Sequence, residues 1–141
     1  MIIAVDFDGT IVEHAYPKIG KPIPFAIETL IMLKEEGHRL ILWTVREGRL
    51  LQEAIDYCAS NGLTFFAENE NYRGEREEGN SPARKLQAEL FIDDRNLGGL
   101  PDWGVIYEAV RATSKKTHNP LHVMAGMHHD APVKKKKWWQ R

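Results

Sequence analysis

The apolar residues of this chain follow two different spacings, and the change from one to the other marks the predicted elements. Four short stretches are mostly apolar and are bounded by polar or glycine residues, which is typical of strands buried on both faces. They are residues 2–5, 40–43, 64–66 and 90–92. Between several of these stretches, apolar residues recur every three or four positions, as they do in amphipathic helices.

Helices are predicted at residues 24–36 and 49–60, and a third begins after Asp102, a suitable capping residue. Gly37 and Gly62 suit positions just past a helix end. Strands that alternate with helices at this spacing form βαβ units. The pattern therefore predicts an α/β fold, a Rossmann-like three-layer sandwich with a mainly parallel central sheet.

Two segments depart from this alternation. The polar stretch 67–82 predicts a long loop, and long loops in compact domains are often functional. Residues 1–117 are predicted to form the folded domain, and 118–141 to form a tail that is either disordered or docked on a neighbouring subunit. The tail carries five basic residues and one acidic residue. Its stretch 134–139 has four lysines and two tryptophans. It either binds an anionic polymer, touches an anionic membrane surface or is a solvated end.

Composition narrows the classes of protein that the chain can belong to. A hydrophobic content of 43% with 28% charged residues is that of an ordinary globular protein. The net charge of −1 gives no general attraction to nucleic acids or membranes. Apolar runs are too short to cross a bilayer. Cys58 is the single cysteine and cannot form an intramolecular disulfide, which favours a cytoplasmic location.

Acidic side chains follow the first and the last predicted strands. Asp6 and Asp8 come after the first, Asp93 and Asp94 come after the fourth, and Thr44 follows the second. Because the carboxyl ends of parallel strands meet at one edge of a sheet, we expect these residues to converge. Carboxylates about 4 Å apart repel by roughly 4 kcal/mol at an effective dielectric near 20. Oxygen donors without a neighbouring His or Cys favour Mg²⁺ over zinc as the compensating cation.

The other residues near these acids suit a phosphate group. Thr44 offers a hydroxyl and a backbone N–H, Lys85 offers a mobile positive charge, and Gly9 lets the backbone approach a ligand closely. A carboxylate such as Asp6 can attack phosphorus and form an aspartyl-phosphate. Asp8 would protonate the leaving oxygen and later activate water. These residues predict a phosphohydrolase.

Four motifs of the chain are similar, in order and spacing, to those of the haloacid dehalogenase (HAD) superfamily, over about residues 1–112. They are Asp6-Phe7-Asp8-Gly9-Thr10, Leu42-Trp43-Thr44, Lys85 and Ile92-Asp93-Asp94. The resemblance implies that Asp6 is the nucleophile and Asp8 the general acid and base. An aspartate at the position of Asp8 resembles the phosphatase branch of the superfamily, because the dehalogenases lack it.

The same resemblance implies a set of ligands. Mg²⁺ would be held by the Asp6 side chain, the Asp8 backbone carbonyl and Asp93, with Asp94 close by or acting through water. Thr44 and Lys85 would bind phosphate.

Superfamily members often carry a cap domain after the first motif or between the second and third. Residues 11–23 and 45–84 leave no room for one, so the chain resembles a capless member. Such enzymes act on large substrates that cover the site, or take a lid from another subunit. The expected partners are therefore a small phosphorylated substrate or a macromolecular phosphate, and a second copy of the chain that supplies a lid.

Several residues keep two interpretations. Either Lys85 or Arg84 faces the phosphate. Arg46 either contacts the substrate or is solvated. His14 and Lys21 either contact the substrate from the segment after the first motif or are surface residues.

Two other functions compete with a phosphatase. A signalling receiver domain also places acids, Thr or Ser, and Lys at strand ends, but its phosphorylated Asp follows a middle strand. Here the third predicted strand is followed by Ala67-Glu68, which disfavours a receiver. A non-catalytic phosphate- or polyanion-binding relic of the same fold is the second alternative. The presence of all the expected catalytic residue types argues against it.

Overall fold

The structure, a computed structural model, describes residues 1–75 and 84–117. The strands are β1 (Ile2–Val5), β2 (Arg39–Leu42), β3 (Ala67–Glu68) and β4 (Leu90–Ile92), and the helices are α1 (Ala26–Glu35), α2 (Gly48–Ser60) and α3 (Trp103–Thr117). Residues 1–107 form one compact unit, and a second unit begins at Glu108, where residues 108–117 continue α3.

The described strands form one parallel sheet in the order β3-β2-β1-β4. β1 is central, so that Ile3 pairs with both Leu40 of β2 and Leu90 of β4. The chain extends the sheet from β1 to β3 and then returns to the opposite side of β1. This reversal opens a crevice beyond the carboxyl ends of β1 and β4, where open parallel sheets bind ligands. The predicted Rossmann-like α/β fold is confirmed.

The third strand lies later in the chain than the predicted stretch 64–66. Leu63 and Phe65 are buried, so the apolar run packs into the core before the chain joins the sheet. The Phe66 N–H donates to the Leu40 carbonyl of β2 (2.7 Å), and residue pairing begins with Ala67 beside Ile41. The predicted bounds were wrong because an apolar run indicates burial and does not show which residues pair with a neighbouring strand.

Both faces of the sheet are covered. Ala4, Ile41 and Ala67 belong to one cluster, on which Leu86 packs from the segment before β4. Ile3, whose side chain alternates to the opposite face, is fully buried as well. The buried residues of α1 and α2 are Ala26, Thr29, Leu30, Leu33, Ala54 and Cys58.

A short flap, residues 11–23, occupies the place where a cap domain could be inserted after β1. Val12 bridges to both Asp8 and Pro22. The Glu13 N–H donates a hydrogen bond to the Lys21 carbonyl (2.8 Å). Neither the flap nor the described residues between β2 and β4 contain a cap domain, in agreement with the prediction.

Two predicted features fall outside the described residues. The first is the tail, residues 118–141. The second is the part of the predicted loop 67–82 that comprises residues 76–82. Among the helices of the described ranges, none has the length and apolar character needed to cross a membrane.

Candidate active site

Three carboxylates meet at the carboxyl edge of the sheet, in the crevice between β1 and β4. Asp6 is the first residue after β1, and Asp93 and Asp94 directly follow β4. One carboxylate oxygen of each lies within 4.8 Å of the other two. The Asp6 N–H donates to the Ile92 carbonyl (3.0 Å), which joins the loop after β1 to the end of β4. The sheet therefore brings together acids that are more than eighty positions apart in the chain.

Thr10 connects two of these acids. It is fully buried, and its hydroxyl donates to Asp6 Oδ2 (3.2 Å). The hydroxyl oxygen of Thr10 also accepts a hydrogen bond from the Asp94 N–H (3.2 Å). Trp103 Nε1, at the start of α3, donates to the Thr10 carbonyl (3.3 Å). Thr10 had no predicted role of its own, because its contact with Asp94, 84 positions away, leaves no local pattern in the sequence.

The carboxylates differ in their tendency to hold a proton. Burial raises the pKa of Asp6 from 3.8 to about 7, and the negative charges of Asp93 and Asp94 act in the same direction. Hydrogen bonds from the Phe7 N–H and Thr10 oppose the change but are outweighed. Burial would also raise the pKa of Asp94, but the hydrogen bond and charge of His14 help to hold that pKa below its ordinary value. The protein therefore compensates the negative charge of Asp6 less than that of Asp94.

The raised pKa of Asp6 predicts a pH-dependent stability in metal-free protein. The folded state keeps the Asp6 proton up to about pH 7, whereas the unfolded chain releases it near pH 3.8. Stability from this group is fully present below pH 3.8 and is lost as the pH rises to 7. Because Asp6 is only partly buried, we expect a loss on the order of 2 kcal/mol, reduced by solvent screening.

Urea unfolding in EDTA between pH 4 and pH 8 would measure this loss. The Asp6→Asn variant should be less sensitive to pH by that amount, and Asp56→Asn, on the exposed side of α2, should follow the wild type. Equal pH dependence of the wild type and Asp6→Asn would contradict the prediction.

The residues of the cluster fit a hard divalent cation. Asp94 Oδ1 is buried and has no hydrogen-bond partner within the described chain. A buried polar atom without a partner is costly and is rare in folded proteins. The three side chains offer only oxygen atoms, the donors that Mg²⁺ prefers. An unsatisfied oxygen and uncompensated negative charge at one place are what a bound cation would relieve.

Gly9 makes room for a contact between the flap and the acid cluster. Its φ is +85°, and a Cβ at this position would lie 2.2 Å from His14 Nε2 and 2.5 Å from Asp94 Oδ2. These two atoms are themselves 2.7 Å apart. The lack of a side chain at Gly9 therefore leaves room for the pair formed by His14 and Asp94. His14, a candidate substrate contact, holds Asp94 and also lines the cavity described below.

Arg46 lies inside the protein, and the alternative of a solvated arginine is wrong. Its side chain is fully buried. Nε donates to Asp8 Oδ2 and Nη2 to Asp8 Oδ1, both at 2.7 Å, in a bidentate ion pair. The hydrogen bonds to Asp8 raise the pKa of Arg46 above its ordinary value and outweigh the opposing effect of burial. Arg46 does not line the cavity, so the predicted substrate contact also lacks support.

Thr44 lines the cavity, but its N–H and its hydroxyl, the two groups predicted to bind phosphate, both have partners. Its N–H donates to Asn69 Oδ1 (2.8 Å), and its hydroxyl accepts the Arg46 N–H (3.2 Å). Asn69, with φ 55°, follows β3 and also donates from Nδ2 to the Arg46 carbonyl (3.1 Å). Asn69 therefore shapes the loop after β2. The misplacement of β3 in the sequence analysis concealed its position at a strand end.

The basic residues expected at the phosphate lie elsewhere. Lys85 is exposed, and its Nζ is 5.7 Å from the centre of the Phe91 ring. Arg84 and Lys21 are exposed as well. None of the three is among the described residues that line the cavity. The predicted phosphate contact of Lys85 or Arg84 therefore has no support from the positions of these side chains.

The acids open into a cavity of about 260 Å³. It is lined by Asp6, Asp8, His14, Trp43, Thr44, Val45, Asp93 and Arg95. Arg95 supplies a positive charge that the sequence analysis missed, although it directly follows Asp94. Val45, 74% exposed, and the half-buried Trp43 form an apolar part of the wall.

Comparison with known proteins identifies a relative without naming an activity. The chain is similar to a solved structure of a conserved protein from Bacteroides thetaiotaomicron, with 62% sequence identity and a TM-score of 0.75. The match covers 80% of this chain and 91% of that chain. No family model and no curated protein matches the sequence.

Proposed function

This chain belongs to the same family as that conserved Bacteroides thetaiotaomicron protein, and we propose that it is a magnesium-dependent phosphomonoesterase of the HAD type. One observation carries the proposal. The carboxylates of Asp6, Asp93 and Asp94 meet, and Asp94 Oδ1 is buried with no hydrogen-bond partner among the described residues. Asp8 lines the same cavity as Asp6 and Asp93, and Arg46 holds its carboxylate. The order of the four motifs along the chain supports it.

In the first half of the reaction, a carboxylate oxygen of Asp6 attacks the phosphorus of the substrate. The bond between phosphorus and the leaving oxygen breaks, and that oxygen takes a proton from Asp8. The product is an alcohol or phenol and an aspartyl-phosphate on Asp6. The position of Asp8 two residues after Asp6, with both residues lining one cavity, supports this division of roles.

In the second half, a water molecule attacks the phosphorus of the aspartyl-phosphate. Its proton passes to Asp8, and the bond between phosphorus and the Asp6 oxygen breaks. Inorganic phosphate leaves, and Asp6 and Asp8 regain their starting states. Asp8 thus serves first as general acid and then as general base.

Mg²⁺ is part of this proposal. Asp6, Asp93 and Asp94, and by resemblance the backbone carbonyl of Asp8, would hold it. When bound, the ion would offset negative charge on the phosphoryl oxygens. Two side chains of the protein, Arg95 and His14, line the same cavity and would further offset the negative charge on the phosphoryl oxygens.

The size of the cavity bears on the substrate. At about 260 Å³ it is below the range of roughly 300–1,000 Å³ usual for small-molecule sites. It suits a phosphoryl group and a small part of the leaving group. We therefore propose either a small phosphorylated metabolite or the phosphorylated end of a larger molecule.

The lack of a cap domain among the described residues bears on how the site is covered. A second copy of the chain would supply a lid, as in other capless enzymes that the sequence resembles.

A cytoplasmic location suits the single cysteine, Cys58, which is buried and free. Burial raises the pKa of its thiol to about 12, so it is not a competing nucleophile.

A non-catalytic phosphate-binding relic remains the second candidate because two predicted phosphate contacts are engaged elsewhere. The Thr44 N–H is bonded to Asn69, and Lys85 lies against Phe91. Such a relic would bind phosphate without turnover.

The proposed activity is tested by phosphate release from p-nitrophenyl phosphate with the full chain. We expect turnover in Mg²⁺, its loss in excess EDTA, and its recovery when Mg²⁺ is restored. Acid quenching during turnover should leave a phosphoryl group on the peptide that contains Asp6, as detected by mass spectrometry. Binding of inorganic phosphate without turnover of any phosphomonoester would favour the relic and refute the enzyme.

A further inference from the structure

Arg46 is an unusual residue for a protein interior, because arginine is almost never fully buried unless it is paired. Its two hydrogen bonds to Asp8, each 2.7 Å long, join both carboxylate oxygens to one rigid, planar guanidinium. Bidentate pairs of this kind restrict the orientation of both partners. The plane of the Asp8 carboxylate is therefore set by Arg46.

The remaining contacts of Arg46 hold the flap. Nη1 donates to the Pro17 carbonyl (3.0 Å), and Nη2 donates to the Lys18 carbonyl (2.8 Å). The guanidinium carbon lies 5.1 Å from the centre of the Phe7 ring and 5.3 Å from that of the Tyr16 ring. Arg46 thus joins the loop after β1, the loop after β2 and the flap at a single buried group.

The geometry points to Arg46 as a positioning residue that fixes Asp8 for proton transfer, an inference that rests on the proposed function. Arg46 does not line the cavity, whereas Asp8 does. Each oxygen of Asp8 accepts one N–H from Arg46 and keeps a further acceptor position for a proton. A small rotation of the Asp8 carboxylate would move that position away from the leaving oxygen. Arg46 would therefore influence the reaction only through Asp8.

A lysine at position 46 retains the positive charge but cannot reproduce two parallel hydrogen bonds. We expect Arg46→Lys to slow the step in which Asp8 donates a proton. The defect should grow with the basicity of the leaving group, because a more basic oxygen depends more on protonation. General acid–base catalysis contributes about 10²–10⁴-fold, so a partial loss of about tenfold to hundredfold is expected for phenyl phosphate.

The experiment measures release of the leaving group in the first turnover for a series of ring-substituted phenyl phosphates, from p-nitrophenyl to unsubstituted phenyl. The slope of log rate against leaving-group pKa should be shallow for the wild type and steep for Arg46→Lys. Arg49→Lys, in an exposed pair with Glu53 on α2, is the matched control and should keep the wild-type slope. A uniform loss of rate with an unchanged slope would indicate a merely structural role and overturn the inference.

A double-mutant cycle separates action through Asp8 from direct action. If Arg46 works through Asp8, Arg46→Lys should cause no further loss of rate in an Asp8→Asn background. A further loss equal to that in the wild-type background would overturn the inference. Circular dichroism of each variant at the assay temperature establishes that the protein is folded. If Arg46→Lys is unfolded, Arg46→Gln, which retains one planar pair of N–H donors, replaces it in both measurements.

These measurements distinguish failure of the inference about Arg46 from failure of the proposed phosphatase activity. If the wild type releases no leaving group from any phenyl phosphate in Mg²⁺, the proposed phosphatase fails first. If the wild type turns over and Arg46→Lys has the wild-type slope, only the role of Arg46 fails.

Discussion

Replacement of Asp6 with Asn is expected to lower Mg²⁺-dependent phosphate release by at least about 10⁴-fold, as is common when an enzyme loses its nucleophile. Asparagine has nearly the same shape as aspartate, but its amide is a poor nucleophile and carries no charge for a cation. The variant should also be more stable above pH 7 in EDTA, because the buried charge of Asp6 is gone. Loss of activity together with retained stability would locate the defect in the chemistry.

The measurement is the release of phosphate from p-nitrophenyl phosphate, with enzyme in large excess over any contaminating phosphatase. Asp56→Asn is the matched control, since it makes the same chemical change on the exposed face of α2. Its rate should equal that of the wild type. Turnover by Asp6→Asn within tenfold of the wild type would exclude Asp6 as the nucleophile.

Replacement of Arg46 with Met is expected to destabilise the fold by about 3–5 kcal/mol, because it leaves the Asp8 carboxylate buried without its partner. Asp8 is 8% exposed and Arg46 is fully buried, so water cannot replace the lost hydrogen bonds easily. The double variant Arg46→Met with Asp8→Asn should recover part of the loss, since it also removes the uncompensated charge.

Chemical unfolding monitored by circular dichroism would measure these free energies. The Arg49→Met variant is the control for the arginine side chain. The Arg49–Glu53 pair, 3.1 Å long, is exposed and should contribute less than about 1 kcal/mol. Equal effects of the Arg46 and Arg49 substitutions would contradict the importance of the buried pair.

The pattern of apolar residues predicted most of the fold because burial leaves a local record in sequence. The predicted strands 2–5 and 90–92 match β1 and β4, and 49–60 differs from α2 by one residue. The prediction failed at β3, where Leu63 and Phe65 are buried outside the sheet. Composition reports whether a segment is buried, whereas strand bounds depend on the hydrogen bonds made by a distant neighbour.

The candidate site was predictable to the extent that it follows strand ends. Asp6 and Asp93 lie immediately after β1 and β4, and parallel pairing necessarily brings these ends together. Lys85 follows no strand, and its side chain lies against Phe91. The position of Arg95 directly after Asp94 was the one sequence signal that it could line the cavity, but adjacency alone does not fix the direction of a side chain.

The sequence by itself determined the parallel α/β fold and the gathering of acids at one edge of the sheet, since both follow from periodicity and strand direction. Only the tertiary structure decided the environment of each acid. It paired Asp8 with an arginine 38 positions away, raised the pKa of Asp6, and left Asp94 Oδ1 without a hydrogen-bond partner among residues 1–75 and 84–117. These properties depend on through-space distances and on burial from solvent, which arise only when separate segments pack together.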